Sequence, residues 1–332
     1  VNAPPRNPLH TQLLRWYRLH QRSLPWRTDP TPYAVWISEI MLQQTQVVTV
    51  IDYFHRWMTR FPNVESLAAA PVDAVLAAWQ GLGYYRRARS IHEAAQLITQ
   101  NGWPQNREQW LSLPGIGPYT AGAICSISLG QPECLVDGNV ERVYARLAAD
   151  NAEGAQLNRR AWEWASRNLE REHPGDWNQA LMELGATVCT PTNPRCDACP
   201  VAELCVAKQT WQVNQLPTRT ARRASVALTH HLWIPRWGEK FGIEQIPVGE
   251  WWEGMWSFPR AEDPAELEPR FPDAWPRHVG SLRHSVTHHR ILLTVSVIES
   301  VDRSLTWVTR EEIDRFALPA PHKKALGLAL KN

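Results

Sequence analysis

Leu113-Pro114-Gly115-Ile116-Gly117-Pro118-Tyr119-Thr120-Ala121 is the stretch on which the fold turns. It reads as a tight glycine turn leading straight into a helix. Pro118 suits the first helical position, where its missing N–H leaves no bond unmade. Gly115 and Gly117 let backbone approach a ligand closely, and the N–H groups at the helix start favour an anion. That is a sequence-independent grip on a DNA phosphate. An ordinary corner between two helices is the alternative reading.

Downstream, Val136-Asp137-Gly138-Asn139-Val140-Glu141-Arg142 is a second helix start, with Asp137 where an N-cap belongs. Upstream, Glu39 lies within Val35-Trp36-Ile37-Ser38-Glu39-Ile40-Met41-Leu42. A carboxylate in such a stretch is either on a solvated face or a buried acid with a raised pKa, and the apolar flanks favour burial. Helical spacing runs from Thr11 to about Gln209. Val47, Ile51, Phe54 and Met58 repeat at helix intervals behind Thr45 as N-cap, and further helices are expected over Val72–Trp79 and Ala161–Glu170.

Cys189, Cys196, Cys199 and Cys205 follow the spacing C-x6-C-x2-C-x5-C. Zinc ribbons usually bring two C-x-x-C pairs, whereas here one pair stands with two singles. This favours a [4Fe–4S] cubane, whose four irons need one thiolate each, over zinc or four buried thiols. Cys125 and Cys134 read as inert core thiols.

Beyond Asn214 the character changes. Leu216 to Arg223 has little apolar content and reads as a linker; strand-like runs follow at Val226–Ile234 and Ile291–Ile298. Thr309 and Glu312 make a capping box expected to start a helix through Ile313 and Phe316. The reading is an all-helical domain at 1–215, a linker at 216–224 and an α+β domain at 225–332. A net charge of +2 confines any nucleic-acid footprint to local clusters. No run approaches the roughly 18 apolar residues of a membrane span. Val1 to Pro8 holds three prolines and no apolar run, so no signal peptide is expected. The expected location is the cytoplasm, nucleoid-associated in a prokaryote. Eighteen tryptophans have no evident use beyond filling core.

The hairpin, the following V-D-G-N-V-x-R and the four-cysteine loop together resemble the helix-hairpin-helix glycosylases of the endonuclease III superfamily. L-P-W-R at 24–27, S-E-I-M-L-Q-Q-T-Q-V at 38–47, G-L-G-Y-Y at 81–85 and the hairpin itself are similar to the MutY-type adenine DNA glycosylases. The implied fold is an all-α helix-hairpin-helix domain with an iron–sulfur loop, followed by a Nudix-like domain. The implied partner is double-stranded DNA carrying A opposite 8-oxoguanine or G, met by a monomer.

The resemblance also implies roles. Bifunctional relatives carry a lysine after the hairpin proline, where its amine forms a Schiff base; Tyr119 cannot do that, so a monofunctional reaction is expected. Glu39 becomes the general acid at adenine N7, and Asp137 the anion facing an oxocarbenium-like sugar. Asn139 and Tyr119 orient sugar, water and Asp137, while Trp26, Arg27 and Gln179 line the flipped-adenine pocket. Gln43, Gln44 and Tyr84 fill the vacated stack and press on the opposing 8-oxoguanine. Arg86, Arg87 and Arg89 read as phosphate-side charge or a solvated helix face.

G-M-W-S-F-P at 254–259 and L-P-A-P at 318–321 are similar to the Nudix-type domain, without its run of catalytic glutamates. Where relatives place F-S-H as a lesion sensor, Val286-Thr287-His288 keeps the hydroxyl and imidazole but loses the ring. A metal on His288 and His289 is disfavoured, because neighbours on a strand point to opposite faces. The rival readings are a thymine- or uracil-mismatch glycosylase and a non-catalytic lesion binder. The Nudix-like domain and the Gln43-Gln44-Thr45-Gln46 run oppose the first, and an intact Glu39 and Asp137 the second.

Overall fold

Four helices of the first unit have starts set by local chemistry and frame the site. Pro32–Leu42 opens on Thr31, whose hydroxyl accepts from the Ala34 N–H at 3.2 Å, with proline at the first turn. Apolar on nearly every side, it is buried from Tyr33 to Met41. Pro118–Ile127 follows the hairpin, Gly138–Leu147 is capped by Asp137, and Pro174–Thr187 again begins on proline. Pro32–Leu42 packs on Pro118–Ile127, and Pro174–Thr187 packs on both Pro118–Ile127 and Gly138–Leu147. The last crossing is close: a Cβ on Gly185 would stand 2.5 Å from the Asn139 Cβ, so only glycine fits there.

The computed structural model describes residues 7–218, 224–247 and 249–331. The chain forms two compact units, one of Val1–Ser66 with Glu93–Ala221, the other of Leu67–His92 with Arg222–Asn332. The helical segment 67–92 thus groups with the later part of the chain, so a strictly sequential division at 215 and 225 stays a proposal. Of the expected linker, 219–223 lie outside the described residues, as do 1–6 of the proline-rich start. The linker's beginning is packed: Leu216 is buried, and its carbonyl accepts from the Arg146 guanidinium at 2.9 Å.

The second unit holds a sheet of β1 (Val226–Trp237), β2 (Lys240–Gln245), β3 (Trp256–Ser257), β4 (Arg260–Ala261), β5 (Arg277–Val286), β6 (His289–Glu299) and β7 (Thr306–Thr309). The order is β3-β2-β1-β6-β5, with β4 on β1 and β7 on β2. Only β1 and β6 run parallel among the described pairs; β5 and β6 form a hairpin. Leu232, Ile234, Phe241, Leu293 and Val295 meet Leu326 of the helix Ala320–Ala329 in its core.

Three local expectations need correction. Thr45 caps nothing: the helix is Val47–Arg60, and its cap is Gln46 without a side-chain bond. The Thr309–Glu312 box forms, with bonds of 2.9 and 3.3 Å, but leads only into a 3-10 turn at Ile313–Arg315. The terminal helix waits until Ala320, behind Pro319. His288 is in the hairpin turn and not on a strand, so its ring lies 4.1 Å from that of His289. Trp36, Trp57, Trp110 and Trp177 do fill core, whereas Trp211 and Trp275 are about nine-tenths exposed. Among the described residues no helix is long and apolar enough to cross a membrane.

Candidate active site

Glu39 is 5% exposed, at the cavity-facing side of the helix Pro32–Leu42. Val35, Ser38, Glu39 and Leu42 recur at helix spacing and line one cavity of about 650 Å3. Burial pushes the Glu39 carboxyl from an ordinary 4.5 up to about 7. The Tyr119 hydroxyl, donating to Oε2 at 2.5 Å, pulls it down; the Asp137 charge pushes it up and the Arg27 charge pulls it down. This is a carboxyl that holds a proton near neutral pH. Tyr119 stands at the second position of the hairpin's helix, with Met182 Sδ 3.3 Å from its hydroxyl. Its own pKa is driven well above 10 by burial and by the Glu39 and Asp137 charges, so the phenol keeps its proton to donate.

Asp137 has both oxygens occupied. Oδ1 accepts from the Asn139 and Val140 N–H groups at 2.9 and 2.8 Å, and Oδ2 from the Asn139 amide at 2.7 Å. Asp137 is therefore the expected N-cap, and it faces the same cavity as Glu39. Asn139 is in turn fixed by Arg142, whose Nη2 donates to its Oδ1 at 2.8 Å. The same guanidinium donates to the Gly185 and Cys189 carbonyls at 2.8 and 2.7 Å, so the cysteine loop supports the orientation of Asp137.

Trp26, Arg27, Gln43, Gln44, Tyr119, Asn139 and Gln179 line the cavity with the two carboxyls. Its size lies within the ~300–1,000 Å3 usual for ligand pockets. Gln43 ends the helix Pro32–Leu42 in an extended conformation and Gln44 reverses the chain at φ 57°, a sharp corner at the cavity's rim. Sequence reasoning missed Glu183. Fully buried, it accepts from Arg22 at 2.7 and 3.0 Å and from Arg27 at 2.9 Å, and its carboxyl is held down by these partners against the upward push of burial. It lines the pocket one helical turn beyond Gln179.

Tyr84, Val286 and Thr287 belong to the second unit and line a separate cavity of about 580 Å3 there. Tyr84 is half exposed at φ 48°, and Thr287 turns the β5–β6 hairpin at φ 53°. The Thr287 hydroxyl lies 3.4 Å from both the His288 and His289 rings. Arg86 is exposed, but Arg87 and Arg89 are neither a solvated face nor free charge. Arg87 turns inward over the Trp79 and Tyr84 rings and donates to the Leu82 and Gly83 carbonyls; Arg89 donates to the Glu253 carbonyl at 2.8 Å.

In the hairpin Gly115 takes φ 75°, which glycine alone adopts cheaply, while Gly117 is extended and caps the helix. A Cβ on Gly117 would meet nothing within 4 Å, so this backbone is open to a ligand. The four cysteines wind through two 3-10 turns, Cys196–Ala198 and Ala202–Leu204. Burial pushes the Cys199 thiol up to about 11 and raises Cys205, and the neighbouring thiols raise both further. Four thiolates in this space therefore need a cationic cofactor to offset them. Buried Arg146 adds a guanidinium 3.3 Å from Cys189 Sγ. This donor set fits an iron–sulfur cluster, which would supply a cross-link holding the loop together.

Comparison with known proteins agrees with this layout. Residues 37–167 match the HhH-GPD superfamily of base excision DNA repair proteins, 189–205 the iron-sulfur binding domain of endonuclease III, and 230–328 the NUDIX domain. The chain thus carries a [4Fe–4S] cluster, the matched segment runs from Cys189 to Cys205, and the zinc alternative falls. The human adenine DNA glycosylase is 33% identical over 94% of this chain and 72% of its own length. That of Buchnera aphidicola subsp. Schizaphis graminum is 31% identical over 95% and 97%. The mouse enzyme is 45% identical over 64% of this chain, a match spanning 44% of that protein. Among solved structures, a thermostable thymine-DNA glycosylase superposes with a TM-score of 0.55 at 25% identity, covering 61% of this chain and 95% of its own.

Proposed function

The chain belongs to the adenine DNA glycosylase family, and on that premise we propose that it excises adenine lying opposite 8-oxoguanine, or opposite guanine, in duplex DNA. The adenine is extruded, at a cost of a few kcal/mol, into the cavity lined by Trp26, Arg27 and Gln179. Glu39 gives its proton to N7. The C1′–N9 bond then breaks with its electron pair leaving on the base, and positive charge develops on the sugar. Asp137 faces that charge, with Asn139 and Tyr119 orienting it and the attacking water, which bonds to C1′ and gives up a proton to the carboxylate left on Glu39. Tyr119 has no amine for a Schiff base, so the product is an abasic site in an uncut strand.

The observation that carries this reading is Glu39: a buried carboxyl near pKa 7, in one cavity with Asp137 and hydrogen-bonded to Tyr119. Gln43, Gln44 and Tyr84 fill the gap left by the base, and Val286, Thr287 and His288 contact the oxidised guanine. Gly115 and Gly117 hold the DNA backbone. The protein acts as a single chain. Single-turnover assays on duplexes with A opposite 8-oxoguanine, A opposite G and T opposite G test it. Adenine release from the first two, strand breakage only after alkali, and an inert T:G duplex are expected. Thymine release would replace this reading with a mismatch thymine glycosylase.

A further inference from the structure

The loop that carries Tyr84 is unusual in its backbone. Gly81, Gly83 and Tyr84 take φ of 104°, 71° and 48°, so a non-glycine residue is held in the left-handed region beside two glycines. Such a conformation persists only where surrounding contacts determine it. Within the second unit those contacts come from the sheet-bearing part of the chain. Gln80 donates to the Leu318 carbonyl at 2.6 Å and accepts from Lys323 at 2.7 Å. On the other side of the loop Arg89 donates to the Glu253 carbonyl at 2.8 Å. Arg89 packs so tightly there that a Cβ on Gly254 would lie 1.8 Å from its Nη2. Arg87, between the two, stacks over the Tyr84 ring.

We infer that Arg89 is a positioning residue for 8-oxoguanine recognition: bound to the Glu253 carbonyl, it holds the Gly81–Tyr84 loop and so sets where the Tyr84 ring meets the lesion. This rests on Tyr84 being a lesion contact, as proposed above. Arg89 itself then touches neither the base nor a phosphate. Its effect on specificity is separable from a phosphate grip, because losing a phosphate contact flattens the dependence of log affinity on log salt by about one unit.

The test uses the full-length, cluster-loaded protein with Arg89→Met, Tyr84→Ala and the double variant. Arg89→Met is expected to lower the single-turnover preference for A opposite 8-oxoguanine over A opposite G by roughly fivefold to tenfold, the loss of one polar tie. The A:G rate should stay within about twofold, and the salt slope of binding should not change. In the Tyr84→Ala background the same substitution should have no further effect on the preference. Amide hydrogen exchange should quicken over 81–88 in Arg89→Met and stay as in wild type over 138–147. Unchanged exchange over 81–88, an equal loss on both substrates, or a flatter salt slope would overturn the positioning role of Arg89. Faster exchange with Tyr84→Ala retaining full preference would instead overturn Tyr84 as the lesion contact, and the specificity role of Arg89 with it.

Discussion

Tyr119→Phe removes the hydrogen bond to Glu39, along with the weak contact to Met182 Sδ, and has a signed consequence. The wild-type phenol donates to Glu39 at 2.5 Å and favours the ionised carboxylate, against the burial that raises Glu39 to about 7. A general acid works only while protonated, so the rate should fall as pH rises through that value. Removing the donor destabilises the charged form, raises the Glu39 pKa, and moves the descending limb to higher pH. A hydrogen bond to a charged group contributes about 1.5–3 kcal/mol net, and one pKa unit is about 1.4 kcal/mol, which bounds the shift at roughly one to two units. Water entering the space of the lost hydroxyl recovers part of it, so about one unit is expected. The assay is single-turnover adenine release between pH 5 and 9 on an A:8-oxoguanine duplex. A lower overall rate is compatible with the orienting role of Tyr119. A limb that stays put or moves to lower pH refutes the coupling of Tyr119 to Glu39.

Glu39→Gln should stabilise the fold in a pH-dependent way. A carboxyl raised on folding contributes fully below its unfolded pKa and loses that contribution as pH rises through about 7. The variant's advantage in urea unfolding should therefore grow from pH 5 to pH 8, by up to ~3 kcal/mol; no growth would place Glu39 in water. Glu183→Ala strands Arg27, and Arg22 with it, and should destabilise the first unit by ~3 kcal/mol or more in the same assay. Iron and sulfide should each approach about four per chain in protein made with ample iron. Cys199→Ser should lose the associated visible absorbance, and stoichiometric zinc in the wild type would contradict the cluster.

Legibility followed how local each determinant is. Asp137 was readable as a cap because its partners lie two and three residues away, and Glu39 as buried because its flanks, Ser38 apart, are apolar. Glu183 was not, since its arginine partners are 156 and 161 residues distant and a glutamate on a helix normally reads as solvated. The available signal was its position four residues after Gln179 in a largely apolar helix. Arg87 and Arg89 read as surface charge because only the fold supplies the carbonyls and rings they meet. Strand segments showed in their composition, whereas the parallel pairing of β1 with β6 depends on residues some sixty apart, which no local pattern encodes. Thr287 at φ 53° defeated the two-residue alternation that put His288 on a strand.

The central claim is that the proton held by Glu39 leaves on the adenine while Asp137 meets the sugar. It is tested most directly by single-turnover adenine release from Glu39→Gln and Asp137→Asn on an A:8-oxoguanine duplex, with binding to the same duplex measured alongside. Glutamine keeps the shape and loses the proton; asparagine can still cap the helix but has lost the charge. Both variants should bind within a fewfold of wild type and release adenine at least about a thousandfold more slowly. Release at the wild-type rate by either one would contradict the account.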